Sequence, residues 1–164
     1  MTVEIRVKEI SVEENQMVSF ISNLANAVPV VGHIKGGIHY ICGDDEKGDD
    51  AMKASSRTTA VFGGGVGGFF VGGPVGAVAG GVAAGAVVDG ATTGIESAIK
   101  GEYKPAGTIK CVTDAINAET GGTRALAVTG AVLMPVLDGV SGGGAGVITK
   151  SVVTTLAVES VASA

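Results

Sequence analysis

The sequence contains no tryptophan, and aromatic residues occupy only 4 % of its 164 positions. Charged residues are also scarce, at 16 % compared with about 25 % in average proteins. A core of bulky side chains is therefore excluded, and the chain must bury small residues and backbone instead. Intrinsic disorder is disfavoured as well, because it requires low hydrophobicity and high net charge.

Basic residues are few and scattered, with 11 lysines and arginines and a net charge of −5. Nucleic-acid binding depends on clustered Lys and Arg side chains that contact phosphates, so we expect no nucleic-acid partner. Residues 1–15 carry charges throughout and lack the apolar segment of a secretory signal peptide. The expectation is synthesis into the cytosol, with membrane association open.

Groups that carry chemistry are also rare, since the chain has only two histidines and two cysteines. His33, His39 and Cys42 lie near Asp44 and Asp45 and suggest a zinc site, but a tetrahedral site needs further ligands brought together. A polar helix end is the better interpretation of this cluster. Neither a Gly-x-Ser-x-Gly nucleophile elbow nor a Gly-Lys-Ser/Thr phosphate motif occurs. We therefore predict a protein that is not an enzyme and has no catalytic, cofactor or metal site.

Glycine is what the sequence has in excess, with 28 residues, of which 11 lie in a central segment, 58–88, that carries no formal charge. Positions i and i+4 share one face of a helix, so small residues repeated every four positions predict a flat surface for close packing against another helix. Two such rows predict the helix-packing and oligomerisation residues. The first row is Gly64, Gly68, Gly72, Gly76, Gly80 and Ala84, and the second is Gly73, Ala77, Gly81 and Gly85.

This segment resembles the glycine-zipper segments of membrane-associated and channel-forming proteins. The resemblance covers about 30 residues and concerns a packing motif. It implies close helix packing, together with homo-oligomerisation or membrane insertion, and it transfers no catalytic residues. Pro74 departs from the pattern of a straight channel helix.

The sequence is compatible with several conformations of the central segment. Each glycine costs a helix about 1 kcal/mol relative to alanine, so packing must stabilise any helix here. Pro74 predicts either one bent helix or two helices meeting near residues 72–74, and extended structure is a third possibility. The segment also contains Gly-x-Gly-x-x-Gly, but it lacks the strand–helix alternation of a nucleotide-binding fold.

The remaining pattern predicts a single, mainly α-helical domain of closely packed small-residue hairpins. Asp49 or Asp50 is the predicted N-cap of the helix that leads into the zipper. The cluster Gly142–Gly144 predicts a turn between two helices. The predicted local elements are a short strand at 2–10, an amphipathic helix at 12–27 and a helical hairpin at 29–60. Along the chain, the predicted regions are an amphipathic N-terminal part at 1–57, which contains most of this hairpin, the zipper at 58–88, a helical connector at 89–124 and a second apolar small-residue region at 125–164.

Two functional interpretations follow. In the first, the zipper helix assembles copies of the chain into a homo-oligomer inserted in a lipid bilayer, pore-like or channel-like. In the alternative, the same faces build a water-soluble structural polymer such as a filament, tube or shell. Both predict that Gly72→Leu or Gly76→Leu abolishes the oligomer.

Overall fold

A computed structural model describes residues 30–162, with side chains as far as residue 155. Four helices and no strand occur in this range: α1 (Val31–Ile41), α2 (Asp45–Lys100), α3 (Gly107–Asn117) and α4 (Gly121–Ala162). The predicted mainly α-helical fold is confirmed. The strand predicted at 2–10 and the helix predicted at 12–27 lie outside the described residues.

The chain divides into two compact units, one ending at Thr58 and the other running from Thr59 to Ala164. In the first unit, α1 packs against the beginning of α2 through glycines. A methyl group placed on Gly36 would lie 2.6 Å from Cγ of Met52, and one on Gly48 would lie 2.8 Å from the Tyr40 ring. Small residues therefore let these two helices approach closely.

The N-cap of α2 differs from the prediction of Asp49 or Asp50. Gly43 adopts a positive φ of 78° that ends the turn after α1, and α2 begins at Asp45. Asp44 is the residue that caps it: its Oδ1 accepts the backbone N–H of Lys47 at 3.3 Å, and its Oδ2 accepts Nζ of Lys47 at 2.6 Å. These hydrogen bonds, the side-chain one first, lower the pKa of Asp44 below its ordinary 3.8.

In the second unit, α2 folds back on itself at Gly72 and Gly73, whose backbone angles are not helical. Gly73 has a φ of 61° and a ψ of −148°, a region open to glycine and strained for other residues. Pro74 follows in the first turn of the returning helix, where its fixed φ and missing N–H are well tolerated. The result is a helical hairpin, here called the glycine hairpin, with a first arm (residues 59–71) and a second arm (residues 74–88).

The predicted turn at Gly142–Gly144 is wrong, since α4 continues unbroken from Gly121 to Ala162. The helix survives three consecutive glycines because Gly142 packs directly against the backbone of the glycine hairpin. Nearer its beginning, α4 packs against α3, and Sγ of Cys111 lies 4.0 Å from Sδ of Met134.

Candidate helix-packing and membrane-facing site

The first predicted row of small residues lies between the two arms of the glycine hairpin. A methyl group on Gly68 would overlap the carbonyl oxygen of Gly76, and one on Gly76 would overlap that of Gly68. Gly64 and Gly80 are related in the same way, and a methyl group on Gly64 would also lie 2.6 Å from Cβ of Ala84. The arms are therefore packed backbone against backbone, within one chain.

Two of the predicted residues, Gly72 and Gly73, lie in the turn instead of the interface. Added methyl groups at both positions would meet nothing within 4 Å. Gly73 is needed for its positive φ, whereas Gly72 has a φ of −136° that any residue can adopt.

From the second row, Ala77 and Gly81 face α4. Ala77, Gly81 and Gly85 of this row are all buried. A methyl group on Gly81 would lie 2.6 Å from the carbonyl oxygen of Asp138 and 2.8 Å from Cα of Gly142. The second arm thus presents one small-residue face to the first arm and another to α4.

Several α4 residues that complete this interface were not predicted from the sequence. Gly142 also meets the first arm, where a methyl group on Gly65 would lie 2.5 Å from its Cα. Gly146 packs against Ala77, so that an added methyl group would lie 2.5 Å from Cβ of Ala77. The signal was present as two pairs with a spacing of four, Gly139 with Gly143 and Gly142 with Gly146. It was overlooked because the glycine cluster was interpreted as a turn.

A hydrogen-bonded ladder, also not predicted, holds the connector between α2 and α3. Three side chains one helical turn apart on α2 accept backbone N–H groups from two residues of the connector and one residue in the first turn of α3. Ala106 at the N-cap of α3 makes no side-chain capping bond, and the buried Asp89 serves that helix end instead. The three pairs are Asp89 Oδ2 with Thr108 N at 2.8 Å, Thr93 Oγ1 with Ala106 N at 2.9 Å, and Ser97 Oγ with Lys104 N at 2.9 Å.

His33, one of the residues of the zinc hypothesis, has other partners. His33 lies with Nδ1 2.6 Å from Oγ of Ser55 and with Nε2 3.3 Å from Oγ of Ser56. Cys42 and Cys111 are free thiols. Within the part of the chain that the structure describes, no three His, Cys, Asp or Glu residues lie close enough together to hold a metal ion.

Large apolar side chains lie on the surface of the second unit, whereas its interior is built from small residues. The apolar side chains at the tip of the hairpin are strongly exposed: Phe70 is 67 % accessible, Val71 92 % and Val75 79 %. Large apolar side chains also cover the outer face of α4. They are Leu126, Val128, Val132, Leu133, Val136, Leu137, Val140, Val147 and Ile148.

Counted as one element across its kink at Gly72–Gly73, α2 is long and apolar enough to cross a membrane, and so are residues 121–155 of α4, judged by length and composition. The most apolar 18-residue windows have mean hydropathies of 1.7 and 1.5, and only 17 % of each is buried within the chain. The core helix of a water-soluble protein would be mostly buried. Asp138, the one carboxylate amid the apolar part of α4, is 5 % accessible and therefore withdrawn from this surface.

No protein-family model, curated protein or solved structure matches this chain.

Proposed function

We propose that this protein is a non-enzymatic, membrane-inserting helical protein, in which the glycine hairpin and α4 form a small bundle inside the bilayer and copies associate into a homo-oligomer. The observation that carries the proposal is the distribution of side-chain size. The buried apolar residues of the described chain are Ala51, Val61, Ala77 and Ala145, while large apolar side chains face outward.

This distribution is the reverse of that in a water-soluble bundle, where Leu, Ile, Val and Phe are the residues most often buried. In lipid the hydrophobic effect does not bring helices together, and association depends on close packing of small residues. The glycine hairpin and α4 fit this second rule. Their helical backbone also satisfies its own hydrogen bonds, which the hydrocarbon interior requires.

Association of copies is supported by small residues that the chain leaves uncovered. The interior faces of the zipper are occupied by the chain itself, so a second copy cannot reach them while the hairpin is closed. On the first arm, however, Gly63 and Gly67 are exposed, one helical turn apart, and methyl groups there would meet nothing within 4 Å. We assign the contact between copies to this outward pair.

Membrane insertion is tested by expressing the protein, lysing cells without detergent and separating lipid-bound from soluble material by flotation. The protein should float with lipid and stay there after an alkaline wash. Dense, lipid-free particles of high mass would instead favour the water-soluble structural polymer and contradict insertion.

The oligomer is tested on purified protein in detergent by measuring its mass with light scattering. Gly67→Leu should reduce the mass to that of one chain. Gly90→Leu is the matched control, because Gly90 is equally exposed and lies beyond the hairpin. A monomeric wild-type protein, or an unchanged mass for Gly67→Leu, would rule out this contact without affecting the flotation result.

A further inference from the structure

The turn of the glycine hairpin has the wrong composition for a loop that faces water. Residues 70–75 read Phe-Val-Gly-Gly-Pro-Val and contain no polar or charged side chain. Turns in water are usually rich in Asn, Asp and Ser in addition to Gly and Pro. Val71 and Val75 point away from the rest of the chain, with 92 % and 79 % of their surface accessible.

The charge-free arms are also short compared with a bilayer, although the helix itself continues beyond them, back to Asp45 and on to Lys100. At 1.5 Å per residue, each arm is about 20 Å long, whereas the hydrocarbon core is about 30 Å thick. Arg57 precedes the first arm in the sequence and Asp89 follows the second, and no formal charge lies between them. Since Gly64 packs opposite Gly80 and Ala84, the base of the first arm lies level with the end of the second.

The position of α4 indicates where the opposite surface of the membrane lies relative to the hairpin. Gly142 packs against Gly65 of the first arm, and Gly146 packs beside Phe69, so α4 runs parallel to this arm. In this register Lys150, which is exposed, comes level with the turn. A lysine side chain can extend several ångströms along apolar surface to place its charge in the headgroup region. If Lys150 reaches the headgroups in this way, the tip lies no deeper below them than the length of a lysine side chain.

From these observations, and resting on the proposed membrane insertion, we propose that the glycine hairpin is re-entrant: both arms open to the same side of the membrane, and the tip at Val71–Val75 is covered by lipid acyl chains. Pro74 suits this environment because proline has no backbone N–H, and the hydrocarbon offers no hydrogen-bond partner for the N–H groups of a turn. The closed packing of Gly68 against Gly76 keeps the two arms together at this depth.

The test places single cysteines in a background of Cys42→Ser and Cys111→Ala. Val71→Cys marks the tip, and Ile99→Cys is the control on an exposed apolar position (78 % accessible) beyond Asp89. Flotation first establishes that each variant is membrane-bound. A membrane-impermeant maleimide is then added to right-side-out and inverted vesicles, with and without detergent.

A re-entrant hairpin leaves Val71→Cys unlabelled from either side until detergent is added, while Ile99→Cys is labelled from one side. Labelling of Val71→Cys from the side opposite Ile99 would mean that the hairpin crosses the bilayer. Labelling from the same side would mean that it lies on the surface, and either result overturns the re-entrant arrangement while membrane association stands. Val75→Cys repeats the measurement if Val71→Cys does not insert. If the wild-type protein itself fails to float, the proposed function is what has failed.

Discussion

At the scale of single residues, the glycines of one row serve different purposes. Gly68 and Gly76 are required because each faces the other's carbonyl oxygen and leaves no space for a side chain. Gly73 is required by its backbone, whose positive φ strains other residues by about 1–3 kcal/mol. Gly72 is required for neither reason in this structure, although it continues the spacing of four.

This difference leads to a prediction for Gly68→Ala. The added methyl group must displace the second arm at about 3 kcal/mol, partly offset by about 1 kcal/mol of improved helix propensity, so we expect the free energy of unfolding to fall by about 2 kcal/mol. Gly72→Ala is the matched control, four residues away in the same row, and its effect should stay within about 0.5 kcal/mol. Denaturant titration in detergent micelles, followed by helicity, measures both. Equal losses for the two variants would contradict the closed hairpin.

The sequence alone predicts the same outcome for Gly72→Leu and Gly76→Leu. The different surroundings of the two glycines lead us to expect different outcomes. Gly76→Leu would force the two arms apart, whereas the side chain in Gly72→Leu would point into open space at the turn. Any effect of Gly72→Leu on the oligomer would therefore arise between chains and not within one.

At the scale of elements, the attachment of α3 depends on the ladder between α2 and the connector. Asp89→Ala removes the acceptor of the half-buried Thr108 N–H, and losing this hydrogen bond to a carboxylate costs about 1–2 kcal/mol. We expect faster hydrogen exchange at the Thr108 amide and a lower free energy of unfolding. Asp114→Ala is the control on α3 itself: it removes an exposed ion pair with Lys110 and should cost no more than about 0.5 kcal/mol. Protection of Thr108 that is unchanged in Asp89→Ala would show that the ladder does not hold this helix end.

The start of α2 gives a pH prediction. The hydrogen bonds from Lys47 lower the pKa of Asp44 below 3.8 in the folded chain. Because the folded pKa is below the unfolded one, the stabilisation by Asp44 is complete above about pH 4 and is lost as the pH falls through the lowered pKa. Nuclear magnetic resonance titration of the Asp44 carboxyl carbon should show a midpoint below 3.8 in the wild type. In Lys47→Met the midpoint should move up toward 3.8, and an unmoved midpoint would exclude Lys47 as the cause.

At the scale of the whole second unit, the docking of α4 is tested by two neighbouring glycines. Gly142 and Gly144 lie in the same helix. Replacing either of them by alanine improves the helix propensity by about 1 kcal/mol. A methyl group on Gly142 would lie 2.7 Å from the carbonyl oxygen of Ala77, whereas one on Gly144 would meet nothing within 4 Å. We therefore expect opposite signs: Gly144→Ala stabilises by up to about 1 kcal/mol, and Gly142→Ala destabilises by about 2 kcal/mol. Unfolding of the two variants in mixed micelles measures this difference, and stabilisation by both would place α4 away from the hairpin.

Much of the helical architecture follows from local pattern. The spacing of four in residues 64–84 indicates helices with small-residue faces, and Pro74 indicates a discontinuity. The cap at Asp44 and the unbroken passage of α4 through Gly142 were missed. In the first case a positive φ at Gly43 decided where α2 begins, and in the second case contacts from distant residues outweighed the weak helix propensity of glycine.

The sequence by itself determined that the chain is mainly helical and that its interfaces must be built from small residues, because it offers few bulky side chains and repeats glycine at the period of a helix face. Only the tertiary structure decided that Gly68 faces Gly76, that Gly81 faces Gly142 and that Gly72 faces nothing. Small residues with a spacing of four are expected both in a straight helix that packs on a second copy and in a folded helix that packs on itself. The sequence pattern is the same in the two cases. The turn at Gly73 distinguishes these arrangements: glycine adopts its positive φ without strain, and the contacts between the arms, such as Gly68 with Gly76, hold the turn closed.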